Sequence, residues 1–365
     1  MARSTSISAR AKAAQKLAEL PPGDLKKVLW TLGGSESVEN AVKIARTVTG
    51  RHKIVTRYRS FHGAGLGSGI LSGDQRRLSH EPTISGVVRV HDPYAYRCPF
   101  GYPEGNTRAY IDHVIQTLEF EGTDTVAAVL MESVTGSSGL IIPPQGYWQE
   151  IAEFCRKKGI LVIADEVMSG FGRTGKMFAI EHYDVVPDLM VMAKGLTCGY
   201  VPLDAVIVRE PIAKYFDDKP LMCGLTYSGH PVGCAAAYAT MNVYAEDDLV
   251  ENARRMGERQ TAHLLALKER YPSVGYVRNI GLFGVIECVK NRQTREPLAP
   301  WNAKASEMGA MGKVAARLKQ LGLSTFVRWN WIFVVPPLCI NEEELAEGFG
   351  MIEEALKLAD EAYQP

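Results

Sequence analysis

Neither sign of charge dominates this chain. Lys+Arg and Asp+Glu both number 41, so the formal net charge is zero. Without a basic surplus there is no electrostatic footprint for nucleic acid or an anionic membrane surface. Long apolar runs are missing too, so no stretch reads as a bilayer-spanning helix. The opening residues, Met1-Ala-Arg-Ser-Thr-Ser, are small and polar and lack the apolar centre of a secretory leader. Cysteine is sparse and odd in number: Cys98, Cys155, Cys198, Cys223, Cys234, Cys288 and Cys339, with no CxxC. That pattern excludes a disulfide framework and a thiolate zinc site, and it points to reduced thiols in a cytoplasmic setting. The eight histidines show no HExxH or other metal spacing. Internal repeats and low-complexity tracts are also absent.

What is present is a chain of 365 residues, 46% hydrophobic, enough for one large domain and a smaller one. Short apolar runs alternate with helical patterns. Helix is expected up to Leu20, where Pro21-Pro22-Gly23 stops it. Strands are expected over Val28–Leu32, Lys53–Arg57, Val126–Met131, Ile160–Ala164 and Ala205–Val208, with a further apolar run entering Lys194. Continuously apolar strands alternating with helices imply an α/β fold, a mostly parallel sheet with helices on both faces. Residues 71–110 read as loop. A charged helix over 249–272 reads as a connector. From Ser273 a strand, a loop, a helix, two strands and a final helix from Glu342 read as a small α+β domain. The expected division is 1–23, 24–248, 249–272 and 273–365.

Sites in such sheets lie at the carboxyl ends of strands, and chemistry-bearing residues cluster there. Lys194 ends the run Leu189-Met-Val-Met-Ala193. Burial would lower its pKa and free its amine for attack on a carbonyl; alone, it reads equally as a lysine snorkelling into solvent. Asp165 ends another apolar run, and Glu132 a third. Gly33-Gly34-Ser35 forms a strand-to-helix turn, suited to an anion at the helix start or to an ordinary capped helix. Phe61-His62-Gly63 offers a ring for a planar ligand, or a core pair. Gly170-Phe-Gly-Arg-Thr-Gly175-Lys176 approaches a phosphate-loop pattern, but Met177 stands where a magnesium-binding hydroxyl is required, and the stretch has no strand of its own.

A strand-end lysine, a strand-end aspartate, an anion nest and an aromatic beside a histidine together match the needs of pyridoxal 5′-phosphate. The motifs Gly33-Gly34-Ser35-Glu36, Phe61-His62-Gly63, Asp165-Glu166-Val167, Ala193-Lys194-Gly195-Leu196 and Thr226-Tyr227-Ser228-Gly229-His230-Pro231 resemble those of the class III, ω-amino acid type aminotransferases of PLP fold type I. The likeness runs from about residue 10 to the C-terminus. It implies that Lys194 forms the Schiff base and carries the proton, and that Asp165 binds the pyridine nitrogen. It gives Gly34 and Ser35 the phosphate, stacks Phe61 on the ring beside His62, and packs Val167 on the opposite face. Glu132 would lie near the ring oxygen. Thr226 would reach the cofactor of a neighbouring subunit, implying a homodimer or higher assembly with shared sites.

Substrate signals are finer. Ornithine- and GABA-type relatives carry an acid and an arginine where Ser137 and Phe333 stand here. Arg328 resembles the mobile arginine of pyruvate-using transaminases, able to pair with a carboxylate, and Met168 fits that subgroup. The resemblance therefore implies an amino donor of taurine or β-alanine type, a 2-oxo acid acceptor (pyruvate), and ping-pong chemistry. Relatives also carry a substantial segment before the region matching Met1–Leu20, and the sequence lacks it. Two alternatives follow: other PLP chemistry (aminomutase, racemase or decarboxylase), or a truncated, non-catalytic homologue.

Overall fold

Seven short runs rich in Val, Ile, Leu, Met and Ala line up as one sheet in the computed structural model, which describes residues 8–82 and 84–365. The chain forms two units. The first holds the residues up to Phe171 and Met177–Asp248; the second holds Gly172–Lys176 and Leu249–Pro365.

In the first unit the order is α1 (Ser8–Glu19), β1 (Leu25–Thr31), α2 (Gly34–Thr49), β2 (Lys53–Arg57), α3 (Leu66–Leu71), β3 (Val87–Val90), α4 (Thr107–Phe120) and β4 (Val126–Glu132). Then come α5 (Tyr147–Lys158), β5 (Leu161–Asp165), β6 (Leu189–Met192), β7 (Asp204–Arg209), α6 (Glu210–Ala213) and α7 (Pro231–Glu246). The sheet order is β1-β7-β6-β5-β4-β2-β3. Strands β2 to β6 run parallel to one another; β7 is antiparallel to both β6 and β1.

Burial explains these strands. All seven residues of β4 are buried, as a strand covered on both faces requires. Val38, Ala41 and Ala45 form the inward stripe of α2, packed with Ile54, Ala128, Leu130, Ile163, Val191 and Val206 from five strands. Gly50 ends α2 in the left-handed region (φ 67°), its N–H donating to Arg46 O. Two expectations need correction. The first strand starts at Leu25, not Val28, because its exposed lysines Lys26 and Lys27 sit on a sheet edge. The stretch expected as loop contains β3, a four-residue edge strand paired with β2.

The second unit comprises α8 (Leu249–Arg270), β8 (Val274–Ile280), β9 (Phe283–Cys288), α9 (Gly309–Gln320), β10 (Val327–Arg328), β11 (Trp331–Val334) and α10 (Glu342–Asp360). Its sheet is antiparallel, ordered β10-β11-β9-β8. The helix expected as a connector, α8, packs on β8 of this unit. Strand β9 corrects the expected loop. Its Glu287 interrupts the apolar pattern, yet it is fully buried and paired at 2.9 Å with Arg278 across the ladder. Asn341 and Glu344 cap α10 reciprocally, at 2.8 and 3.2 Å. Gly172–Lys176 joins this unit through Arg173, whose carbonyl accepts from Leu282 N–H at 3.1 Å. The Arg173 guanidinium donates to Leu282 O and Pro336 O at 2.9 and 2.6 Å. Among the described residues, no helix is long and apolar enough to cross a membrane.

Candidate active site

Strand direction gathers the site. The carboxyl ends of β1, β2, β4, β5 and β6 share one edge of the first unit's sheet, and the reversed β7 brings its amino end there too. In register, Glu132 lies beside Asp165, Asp165 beside Val191, and Thr31 beside Asp204. A cleft of about 430 Å³ opens at this edge. Gly34, Ser35, Phe61, His62, Glu132, Asp165, Val167, Met168, Lys194 and Asp204 line it.

Lys194 follows β6 in a tight turn closed by Leu196 N–H to Ala193 O and Thr197 N–H to Lys194 O. Its φ of 42° is left-handed, a conformation costing a side-chain-bearing residue roughly 1–2 kcal/mol. The turn is fixed from behind: a Cβ on Gly195 would stand 2.6 Å from Phe171 Cβ. Among the described residues the Lys194 amine has no hydrogen bond or ion pair. Burial lowers its pKa, against the opposing pull of Asp165, Glu132 and Asp204.

Asp165 is buried and held at both oxygens. Oδ2 lies 2.7 Å from His62 Nδ1, and Oδ1 accepts the Val167 N–H at 3.0 Å. His62 Nε2 meets Thr56 Oγ1 at 3.1 Å. A carboxylate at Nδ1 assigns the ring proton there, leaving Nε2 to accept from Thr56. Glu132 uses both oxygens on backbone: Oε1 accepts from Phe61 N at 3.0 Å, and Oε2 from Gly136 N at 2.7 Å. Burial raises its pKa, and the neighbouring Asp165 charge adds to the rise.

Also at the cleft, α2 begins at Gly34, with Gly33 giving no side-chain cap to its first N–H groups. Ser35 Oγ lies 2.5 Å from Ser68 Oγ and accepts the Gly65 N–H at 2.9 Å. A Cβ on Gly34 would stand 3.2 Å from the Val167 side chain, so the helix start packs closely against Val167 and a side chain at position 34 would crowd it.

Two expected residues are not among those that line the cleft. Thr226 is exposed in the turn before α7 and does not line the cleft. Arg328 belongs to the second unit, on β10 opposite Trp331, its guanidinium 4.2 Å from the centre of the Trp329 ring. Two unanticipated residues come forward. Asp204 lines the cleft at the amino end of β7, where the sequence pattern shows only the start of a strand. Arg76 lies over the Phe61 ring, 3.3 Å from its centroid, bound to the buried Asp74 and donating to Ser137 Oγ at 3.0 Å. Its only sequence signal is a charge in a loop-rich stretch.

These residues fit pyridoxal 5′-phosphate. An amine lining the cleft without a protein partner, a carboxylate backed by histidine, an uncapped helix start and a Phe ring facing the cleft are the groups its aldehyde, ring nitrogen, phosphate and ring face require.

Comparison with known proteins agrees. The family model "Aminotransferase class-III" matches residues 1–356. The solved structure of a taurine:2-oxoglutarate aminotransferase from Bifidobacterium kashiwanohense, in complex with PLP and glutamate, superposes with a TM-score of 0.94. It is 42% identical over 99% of this chain and 82% of that one. A taurine–pyruvate aminotransferase of Rhodobacter capsulatus is 33% identical over 95% of this chain and 78% of its own length. A leucine/methionine racemase of Thermococcus litoralis is 36% identical over 95% of this chain and 77% of its own. The chain belongs to the class-III aminotransferases. It is a PLP-dependent transaminase of fold type I, moving an amino group between a donor and a keto acid acceptor.

Proposed function

We propose that the donor is an ω-amino acid or amine of taurine or β-alanine type and the acceptor pyruvate, in two half-reactions of a ping-pong cycle. The observation that carries this reading is taurine in the names of both a sequence relative and a solved structural neighbour. Arg76 over Phe61 supports it from within the chain, since a guanidinium suits a sulfonate or carboxylate. The bound cofactor supplies a carbonyl that captures amines and a ring that accepts electron density. Lys194 Nζ would hold the cofactor and would be the base that moves the donor's proton. Asp165, oriented by His62, holds a proton on the ring nitrogen. Gly34 and Ser35 N–H groups take the phosphate, and Phe61 and Val167 flank the ring.

Arg328 is assigned to the acceptor's carboxylate, and Thr226 to a second copy of the chain in a homodimer or larger assembly with shared sites. A second acceptor has its own support: the Bifidobacterium neighbour is named for 2-oxoglutarate. The racemase relative keeps other PLP chemistry in view.

The test is spectroscopic. The protein loaded with PLP is mixed with taurine, β-alanine or alanine, then with pyruvate or 2-oxoglutarate. The reading expects the absorbance band of bound PLP to convert with taurine or β-alanine and to return with pyruvate. Return with 2-oxoglutarate alone selects the second acceptor. Conversion with none of these donors overturns the substrate assignment. Native mass equal to one chain would remove the shared-site role of Thr226.

A further inference from the structure

Asp204 is buried, with 7% of its surface exposed, and it faces the cleft. Among the described residues its carboxylate makes no hydrogen bond and no ion pair. A buried carboxylate without partners is unusual and signals a group absent from the protein itself. Its place narrows the choice. Asp204 stands opposite Thr31 on β1, two residues before Gly33, and its Oδ2 lies 4.0 Å from where a Cβ on Gly33 would be. That is the end of the cleft where the uncapped start of α2 awaits the cofactor's phosphate. Two anions are thus directed to one part of the cleft.

The geometry points to Asp204 as the residue that shares a proton with the cofactor's phosphate, so that cofactor binding takes up one proton from solvent and ties affinity to pH. The balance is simple. The ionised carboxylate, the phosphate and a proton from water give a single O–H···O contact, and no other bond changes. The charged groups facing Asp204 are Lys194, from the turn after β6, and Glu36, from the first turn of α2; burial holds its pKa up at about 6. Neither partner removes the conflict. Glu36 adds negative charge, and its Oε2 is occupied by the Leu32 N–H at 2.9 Å. Lys194 gives up its own positive charge as an attacking amine. The inference rests on the cofactor and not on the choice of donor or acceptor, so it stands whichever substrate is found.

The experiment compares PLP dissociation constants of the full chain and of Asp204→Asn between pH 5.5 and 8.5, by fluorescence titration. Pyridoxal, which lacks the phosphate, serves as the control ligand. Asn keeps the shape and a donor N–H but carries no charge. At pH 8 the variant is expected to bind PLP about tenfold more tightly than the unaltered chain, the gap closing towards pH 5.5 at up to about tenfold per pH unit. With pyridoxal the two proteins should agree within about twofold at every pH. Equal PLP affinities at pH 8 would overturn the proposal, as would weaker binding by Asp204→Asn throughout. A gap as large with pyridoxal would also sink it, because the effect would then run through Lys194. Should Asp204→Asn fail to fold by circular dichroism, Asp204→Ser repeats the comparison.

Discussion

His62 and Asp165 are both buried at 2.7 Å from one another, and each fixes what the other can do. The carboxylate accepts from Nδ1, which fixes its orientation at the cleft; the ring is in turn held by Thr56. Replacing His62 by Phe keeps the bulk and removes the donor. A lost hydrogen bond to a buried charge is worth about 1.5–3 kcal/mol, so turnover should fall roughly 10- to 100-fold while the fold survives by circular dichroism. His62→Gln should recover part of the loss. Lys194→Ala should be harsher: turnover falls on the order of 10³-fold, and borohydride no longer fixes the cofactor to the chain. A borohydride-stable adduct in Lys194→Ala would show that another amine does this work. Arg76→Ala tests the substrate side. KM for taurine should rise by roughly tenfold, with kcat nearly unchanged and KM for an uncharged amine unmoved. Equal effects on both donors would make Arg76 a support for Phe61 only.

At the scale of elements, much of the arrangement was legible. Each apolar run that ends in a polar residue became a strand ending at the cleft: β4 at Glu132, β5 at Asp165, β6 two residues short of Lys194. What the pattern hid has physical causes. Asp204 precedes its apolar run instead of following it, and only the reversal of β7 carries it to the same edge. Arg76 acts through space, on a ring fifteen positions earlier in the sequence. Strand β9 escaped notice because Glu287 breaks its apolar pattern, and the neutralising Arg278 comes from the strand beside it. Strand β3 is four residues long and has a single neighbour, which leaves little pattern to read. The turn after β6 carries its own prediction. Gly195→Ala drives a methyl into Phe171, and such overpacking typically costs about 1–3 kcal/mol. The urea midpoint of the cofactor-free protein should fall accordingly; an unchanged midpoint would mean that Phe171 yields at no cost.

For the molecule as a whole, buried acids set the response to pH. Glu166 accepts from Ser169 Oγ, Ala179 N and Ile180 N, at 2.7, 3.1 and 2.7 Å. Burial still pushes its pKa up from 4.5 to about 6. A folded value above the unfolded one means that the folded chain holds the proton more tightly. Its contribution is complete below about 4.5 and is lost as pH rises through about 6, a change of about 2 kcal/mol at most. Asp204, pushed from 3.8 to about 6, acts in the same direction. The cofactor-free protein should therefore lose stability between about pH 5 and pH 7. Glu166→Gln should flatten that slope whatever it does to the absolute value. A urea midpoint that climbs over this interval would contradict the account.

The short passage Gly172–Lys176 has a consequence for how the chain is made. Its backbone and the Arg173 side chain complete a unit whose other residues begin at Leu249. During synthesis these five residues emerge more than seventy positions ahead of the partners they join. The second unit therefore cannot close as an independent tail while the ribosome finishes it. A separately expressed fragment of residues 249–365 would leave Leu282 N–H without the Arg173 carbonyl it binds in the whole chain. Such a fragment should be loosely folded alone and should tighten when a peptide covering residues 170–178 is added, which amide exchange at Leu282 would register.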